Sequence, residues 1–280
     1  MPYKNMIGLG VAGNFAGHLE QAGEASDFQS VKVSEAIQPK AIFPFYVPSE
    51  DSGFLSTYPL SNDKITMPET DGCLQIEPEV ALICDIQYSI DDQTGERTVL
   101  ALTPKQFAAY NDCSIRKPNA LKISEKKNWG AHTKGIASTL LELDSLEQGG
   151  TLDRFRIASY HKKEGDIFRY GEDSPTVGYS YFHQKLLDWI VERMNHQKDT
   201  GPAENIASLL AKANYPEQAL ISIGATRYTD YGESHFLQPG DTSIVVVYDG
   251  ELFHEEEILE MAALNDFPDT GLSALIQHVC

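Results

Sequence analysis

Five prolines, Pro39, Pro44, Pro48, Pro59 and Pro68, punctuate one stretch of the chain. Proline donates no N–H and its ring clashes with a preceding helical turn, so residues 38–75 are expected to be irregular, without long helices or central strands. Regular structure must come from the flanks. Ile76–Ser89 is rich in Val, Ile and Leu and reads as a strand, with Thr98–Thr103 its neighbour across an Asp91–Glu96 turn containing Gly95. Phe155–Tyr160 and Ile167–Tyr170 bracket a charged tip, Lys162-Lys163-Glu164-Gly165-Asp166, as in a β-hairpin. Strands follow at Ala219–Gly224 and Ser243–Tyr248. Helices are expected at about Tyr179–His196 and Ala203–Ala213, with Gly201-Pro202 between them, and near Glu255–Leu264 and Gly271–His278. This order is not βαβαβ, so the fold class is a strand-dominated α+β domain rather than a doubly wound sheet.

Among 280 residues, 41 Asp and Glu stand against 22 Lys and Arg, a formal charge of −19. With no Lys/Arg cluster, the chain lacks the electrostatic footprint of a nucleic-acid or anionic-membrane binder, while a cation remains a possible ligand. Most of that excess reads as solvated surface. The first residues have no long apolar run behind them and no stretch approaches the ~20 apolar residues of a membrane span, so a cytoplasmic, soluble protein is expected. The cysteines Cys73, Cys84, Cys113 and Cys280 show no metal-like spacing and are expected as thiols.

Gly8-Leu9-Gly10-Val11-Ala12-Gly13 satisfies G-x-G-x-x-G. It follows a possible strand at Tyr3–Ile7 and precedes a helix that Asn14 would cap, running to about Ala22. An acid, Glu35, ends a possible second strand at residues 31–35. This supports an NAD(P)-binding oxidoreductase using Gly8, Gly10 and Gly13 as one reading. Against it, Tyr3-Lys4-Asn5-Met6-Ile7 is half polar where a buried parallel strand is nearly all apolar. A glycine-rich turn for tight packing explains the same letters.

Ile76-Glu77-Pro78-Glu79-Val80 puts two carboxylates two residues apart in a strand, hence on one face. Two like charges side by side next to an apolar run call for a partner, and a hard divalent cation is one; an exposed, charged strand edge is the equal alternative. Some thirty residues on, Tyr110-Asn111-Asp112-Cys113-Ser114-Ile115-Arg116 offers Asp112 as a third oxygen ligand and Arg116 to neutralise a bound carboxylate.

The order of these motifs resembles the fumarylacetoacetate hydrolase family. Gly10 followed by Asn14-Phe15-Ala16-Gly17-His18 is similar to its N-terminal G-x-N-[YF]-x-x-H pattern, with an insertion. Glu77-Pro78-Glu79-Val80 resembles its E-x-E-[LV] metal strand, and Asn111–Arg116 its N-D-x-S-x-R-D segment. Lys127-Asn128-Trp129, Ile223-Gly224-Ala225-Thr226 and Leu237-Gln238-Pro239-Gly240-Asp241 continue the series. The resemblance implies a mixed β-roll, usually a homodimer, with Mg²⁺ (or Mn²⁺ or Ca²⁺) held by Glu77, Glu79 and Asp112. It implies a small 2-oxo acid or 1,3-dicarbonyl substrate, and C–C hydrolysis, decarboxylation or isomerisation through a metal-stabilised enolate. Lys127 and His18 would be catalytic, the first adding positive charge to the substrate oxygens and the second moving a proton. Arg116, Asn14 and Thr226 would bind substrate. On this basis residues 1–65 form an N-terminal segment packing on the core. Residues 66–250 form the catalytic domain, with a helical insertion at about 179–213, and residues 251–280 a helical tail.

The chain departs from the pattern where chemistry is concentrated. Hydrolytic and decarboxylating members carry a Glu three residues after the histidine; here it is Gln21, and Glu20 does not share that helix face. Lys117 replaces an Asp after Arg116, and Ala225 and Arg227 replace a Thr and a Pro. A catalytically inactive protein of the same fold, acting through partner binding, is therefore a further reading. His132, near the Lys127 loop, is a candidate to face the site.

Overall fold

The structure, a computed structural model, describes residues 3–28, 35, 37–69, 73–116 and 120–280. Residues 31–34 of the expected second strand, and Lys117, lie outside the described residues. In chain order the strands are β1 (Ile7–Ala12), β2 (Ala41–Tyr46), β3 (Leu60–Ser61), β4 (Lys64–Ile65), β5 (Cys73–Gln75), β6 (Pro78–Ile90), β7 (Arg97–Asn111), β8 (Ser114–Arg116), β9 (Lys134–Ile136), β10 (Leu141–Glu142), β11 (Phe155–Lys163), β12 (Asp166–Pro175), β13 (Gln218–Ser222), β14 (Thr242–Asp249) and β15 (Leu272–Val279). The α-helices are α1 (His18–Gln21), α2 (His183–His196), α3 (Ile206–Lys212), α4 (Asp230–Ser234) and α5 (Glu255–Leu264). The fold is strand-dominated α+β, as the order of patterns implied.

One mixed sheet runs β2-β1-β13-β6-β7-β9-β3 with β10 on β7; a second runs β12-β11-β14-β15-β4; β5 and β8 pair alone. The two large sheets share a core in which Phe107 and Ala109 of β7 meet Val245 and Val247 of β14 and Leu275 of β15. On the outer face of the second sheet, Ile244, Val246 and Tyr248 pack under Ile258 and Ala262 of α5. Every position of β14 is thus buried, which is why it reads as an unbroken apolar run.

The β6–β7 hairpin is the longest element, paired from Pro78↔Asn111 to Ile90↔Arg97. Its turn closes because Asp91 Oδ1 accepts the backbone N–H groups of Gln93 and Thr94 and Gly95 takes the left-handed φ of 71°.

Four expectations are corrected. Residues 41–46 form a buried strand despite Pro44, because β2 is the edge of its sheet and a missing N–H there breaks no second ladder. Gly271–His278 is not helical but contributes β15. Its apolar residues at 272, 275, 276 and 279 fall on a helical period. Both faces of the strand are covered instead: Leu275 and Val279 face the inter-sheet core, while Leu272, Ala274 and Ile276 face the cluster under α5. The glycine motif is a strand rather than a strand-to-helix turn, since β1 spans Ile7–Ala12 and not Tyr3–Ile7. A Cβ at Gly8 would lie 2.2 Å from the Phe45 ring, and one at Gly10 2.3 Å from the Phe43 ring. These glycines admit aromatic rings from β2, and the loop that would cradle a dinucleotide phosphate is absent. The helix after it is also shorter than expected, α1 being preceded by Gly17 at φ 86° and not capped by Asn14.

Two measurements check this packing. Gly10→Ala should cost about 1–3 kcal/mol in urea unfolding by overpacking Phe43, and Phe43→Leu in the same chain should recover part of it. Burial raises the Glu204 carboxyl from 4.5 to about 7. Below about pH 4.5 both folded and unfolded states are protonated and Glu204 costs nothing; as pH rises the unfolded state ionises first and stability falls until about pH 7. Glu204→Gln should therefore stabilise the protein by up to about 3 kcal/mol at pH 8 and change nothing at pH 4.

Candidate metal centre

The open end of the β6–β7 hairpin gathers the acids. Asn111 Oδ1 accepts the Glu77 N–H at 3.1 Å, and the Asp112 N–H donates to the Glu77 carbonyl at 3.0 Å. That clasp sets Asp112 beside the Glu77–Glu79 pair although it lies 35 positions after Glu77. One carboxylate oxygen from each of Glu77, Glu79 and Asp112 lies within 4.8 Å of the others, and all three residues are buried. The exposed-edge alternative is excluded by that burial.

Four cations surround them. Lys127, which follows a short turn at Ile123–Lys126, places Nζ 2.6 Å from both Glu77 Oε2 and Asp112 Oδ2. Lys134, fully buried in β9, lies 3.3 Å from Asp112 Oδ1 and donates to the backbone carbonyls of Asp112 and Cys113. Arg116 Nη1 contacts Glu77 Oε1 at 2.9 Å and Glu24 Oε1 at 2.8 Å, while Nε donates to Gln75 and Nη2 to Tyr228. Lys126 reaches Glu24 at 3.0 Å. Four carboxylates thus face four cations in a buried volume, where unpaired charge is costly.

Within this balance the acids differ. Burial alone would raise Glu77, but Lys127 and Arg116 outweigh it and hold the carboxyl well below the usual range. Burial pushes Glu79 well above its usual value, reinforced by the charges of Asp112 and Glu77; only the Gly224 N–H, 2.8 Å from Oε2, and the nearby Lys127 oppose this. Asp112 is raised by burial, against the pull of Lys127 and Lys134. Among the described residues, Glu77 Oε1 and both Asp112 oxygens accept no well-directed hydrogen bond and are met only by charge. Three hard oxygen donors that lack directed partners fit a divalent cation such as Mg²⁺, Mn²⁺ or Ca²⁺.

His18 is buried at the start of α1, and its Nδ1 lies 2.8 Å from the Thr226 carbonyl. A carbonyl can only accept, so Nδ1 carries the proton. Burial lowers the His18 pKa below 6.5, outweighing the Glu77 charge that raises it. The ring is therefore neutral at pH 7, with the lone pair on Nε2. Gln21 does not orient it; its amide bonds both backbone groups of Tyr228, at 3.1 and 2.9 Å. Thr226 is fully buried, its hydroxyl without a hydrogen-bond partner among the described residues, and Ala225 beside it is buried. Arg227 points away to Glu172.

Asn14 braces the backbone: both its N–H groups donate, to the Tyr181 and Ile223 carbonyls, and its oxygen accepts the Tyr181 N–H. As placed, it has no free donor for a ligand. His132 lines a separate cavity of about 360 Å³ with Tyr3, Tyr58 and Ile136. Sequence reasoning missed Glu24, Lys126, Lys134 and Tyr228. Lys134 had one usable signal, a lysine between Thr133 and Gly135 in a short run of strand-forming character; Glu24 had none.

In EDTA-treated protein, Glu77→Gln should cost about 3–5 kcal/mol, because Arg116 and Lys127 lose a charged partner. Glu79→Gln should stay within about 1 kcal/mol of the parent, since glutamine still accepts the Gly224 N–H and one repelling carboxylate is gone. Equal losses in urea unfolding would contradict this division.

The chain belongs to the family described as Family of unknown function (DUF5718), whose model matches residues 24–279. No curated protein matches the sequence. Solved structures do. A protein described as HpcE from Mycobacterium smegmatis is 15% identical with a TM-score of 0.56, covering 99% of this chain and 75% of its own. 2-Keto-3-deoxy-D-arabinonate dehydratase complexed with magnesium and 2,5-dioxopentanoate is 13% identical with a TM-score of 0.52, covering 98% and 72%. A fumarylacetoacetate hydrolase family protein from Yersinia pestis CO92 is 10% identical with a TM-score of 0.52, covering 98% and 93%. At such identities the likeness is one of fold, and the fold is the one the order of motifs implied. No described helix is long and apolar enough to cross a membrane.

Proposed function

We propose that this member of DUF5718 is a divalent-metal-dependent enzyme acting on a small 2-oxo acid or 1,3-dicarbonyl compound. The observation that carries the reading is the convergence of Glu77, Glu79 and Asp112 in a buried volume. These three would hold the ion, which when bound would polarise a carbonyl and offset the negative charge that develops as a C–C or C–H bond breaks. The fold neighbour complexed with magnesium and 2,5-dioxopentanoate, itself a 2-oxo acid, supports that substrate class.

The chain's own residues supply binding and proton transfer. With Nδ1–H tied to Thr226, the Nε2 lone pair of His18 accepts a proton in a fixed tautomer. Gln21 bonds Tyr228 and not the ring, so an imidazolium formed there is met by the charges of Glu77 and Glu24 rather than by a carboxylate at position 21. Since the hydrolytic and decarboxylating members of the resembled family carry a Glu at that place, this favours isomerisation. The buried Thr226 hydroxyl is a donor for a substrate oxygen. Arg116 already engages Glu24, Gln75, Tyr228 and Glu77, so its part is to fix Glu77 rather than to grip the substrate directly.

Oxaloacetate, acylpyruvates and 2-keto-3-deoxy acids with Mg²⁺ or Mn²⁺ form the test panel. Turnover abolished by EDTA and by Glu79→Gln is the expected result; no turnover of any member together with no calorimetric ion binding sinks the reading. Because His18 must be neutral to act, the acid limb of kcat/KM should lie below pH 6.5. His18→Ala should lower kcat by about 10²–10⁴.

A further inference from the structure

We propose that Lys127 is an internal competitor for the divalent ion: its ammonium occupies the seat between Glu77 and Asp112, and metal enters only as Lys127 leaves. The inference rests on the metal reading above and concerns what stands in the ion's way.

All four oxygens of Glu77 and Asp112 face a cationic nitrogen. Arg116 takes Glu77 Oε1, Lys127 takes Glu77 Oε2 and Asp112 Oδ2, and Lys134 takes Asp112 Oδ1. Glu79 makes no ion pair among the described residues and accepts one backbone N–H. Two of the three ligands are therefore already neutralised. An ion at about 2.0–2.6 Å from the same two oxygens would stand within about 5 Å of an ammonium that is 2.6 Å from both. In this buried volume, where solvent screens charge weakly, the two positive centres oppose one another.

Of the three cations only Lys127 is free to yield. Arg116 is fixed by four side chains, Gln75, Glu24, Tyr228 and Glu77. Lys134 is anchored on two main-chain carbonyls. Among the described residues Lys127 Nζ hydrogen-bonds no main-chain group; its partners there are the two carboxylates and the face of Phe43, whose ring centre is 5.1 Å away. That ring offers a displaced ammonium a favourable surface in the same buried volume. Metal loading then converts Lys127 from a ligand of the carboxylates into a mobile positive group beside the bound ion.

Calorimetric titration of EDTA-treated, full-length protein with Mn²⁺ tests this on the parent, Lys127→Met and Lys126→Met. Lys126 carries the same charge one residue away but bonds Glu24, so it controls for the general effect of removing a cation. Lys127→Met should bind Mn²⁺ at least about tenfold more tightly than the parent, and Lys126→Met within about threefold of it. If the methionine variant does not fold, Lys127→Gln, which keeps hydrogen-bond donors for the same oxygens, should show the same gain. Equal gains for positions 126 and 127, or no gain at 127, overturn the proposal while leaving the metal centre standing. Absence of Mn²⁺ binding in every variant, Lys127→Met included, overturns the metal reading itself and the competition with it.

Discussion

The site depends on the register of one hairpin. Pro78 opposite Asn111 sets β6 against β7 so that the Glu77 N–H meets the Asn111 side chain and the Asp112 N–H meets the Glu77 carbonyl. Side chains alternate along a strand, so a slip of one residue would turn Glu79 into the sheet's other layer and bring Pro78 or Val80 into its place. The register is pinned from both ends, by the Asp91–Gly95 turn and by β9 and β13 pairing on either side of the hairpin. The acids meet because the sheet allows one alignment, not because they attract; the like charges oppose the arrangement that packing imposes.

The chain carries −19 overall, yet its most densely charged interior volume is balanced, with Glu24, Glu77, Glu79 and Asp112 against Arg116, Lys126, Lys127 and Lys134. Most of the excess lies on the surface, where water solvates it. Inside, where the effective dielectric is low, each carboxylate that loses its cation shifts toward its neutral form, as Glu79 does. Total charge and site charge answer different questions: the first concerns solubility and unlikely partners, the second concerns which side chains can leave.

What was legible in the sequence follows from range. The E-x-E spacing is local, and period-2 alternation correctly placed Glu77 and Glu79 on one face. Asp112 was recognisable from the order of motifs, and the α+β class from the order of apolar runs. Glu24 was not legible, because an acid in a loop carries no mark of the arginine 92 positions away that binds it. Local rules failed where tertiary context overrode them. Pro44 sits in a strand because its sheet ends there. The 272–279 segment has helical spacing but is sandwiched between two apolar clusters, which removes the need for a polar face. The G-x-G letters belonged to packing: both glycines make room for rings of the adjacent strand.

Phe43 joins two of these stories. One edge of its ring presses on the backbone of Gly10, and Lys127 stands over its face. Where a ring has no slack, the surface it offers stays fixed, even when the group resting on it is free to leave. A missing methyl group on β1 thus acts as a distance gauge for an ammonium on a different segment, and the floor of the charged volume is set by hard contact rather than by electrostatic adjustment. Such a floor keeps its shape whichever cation stands above it.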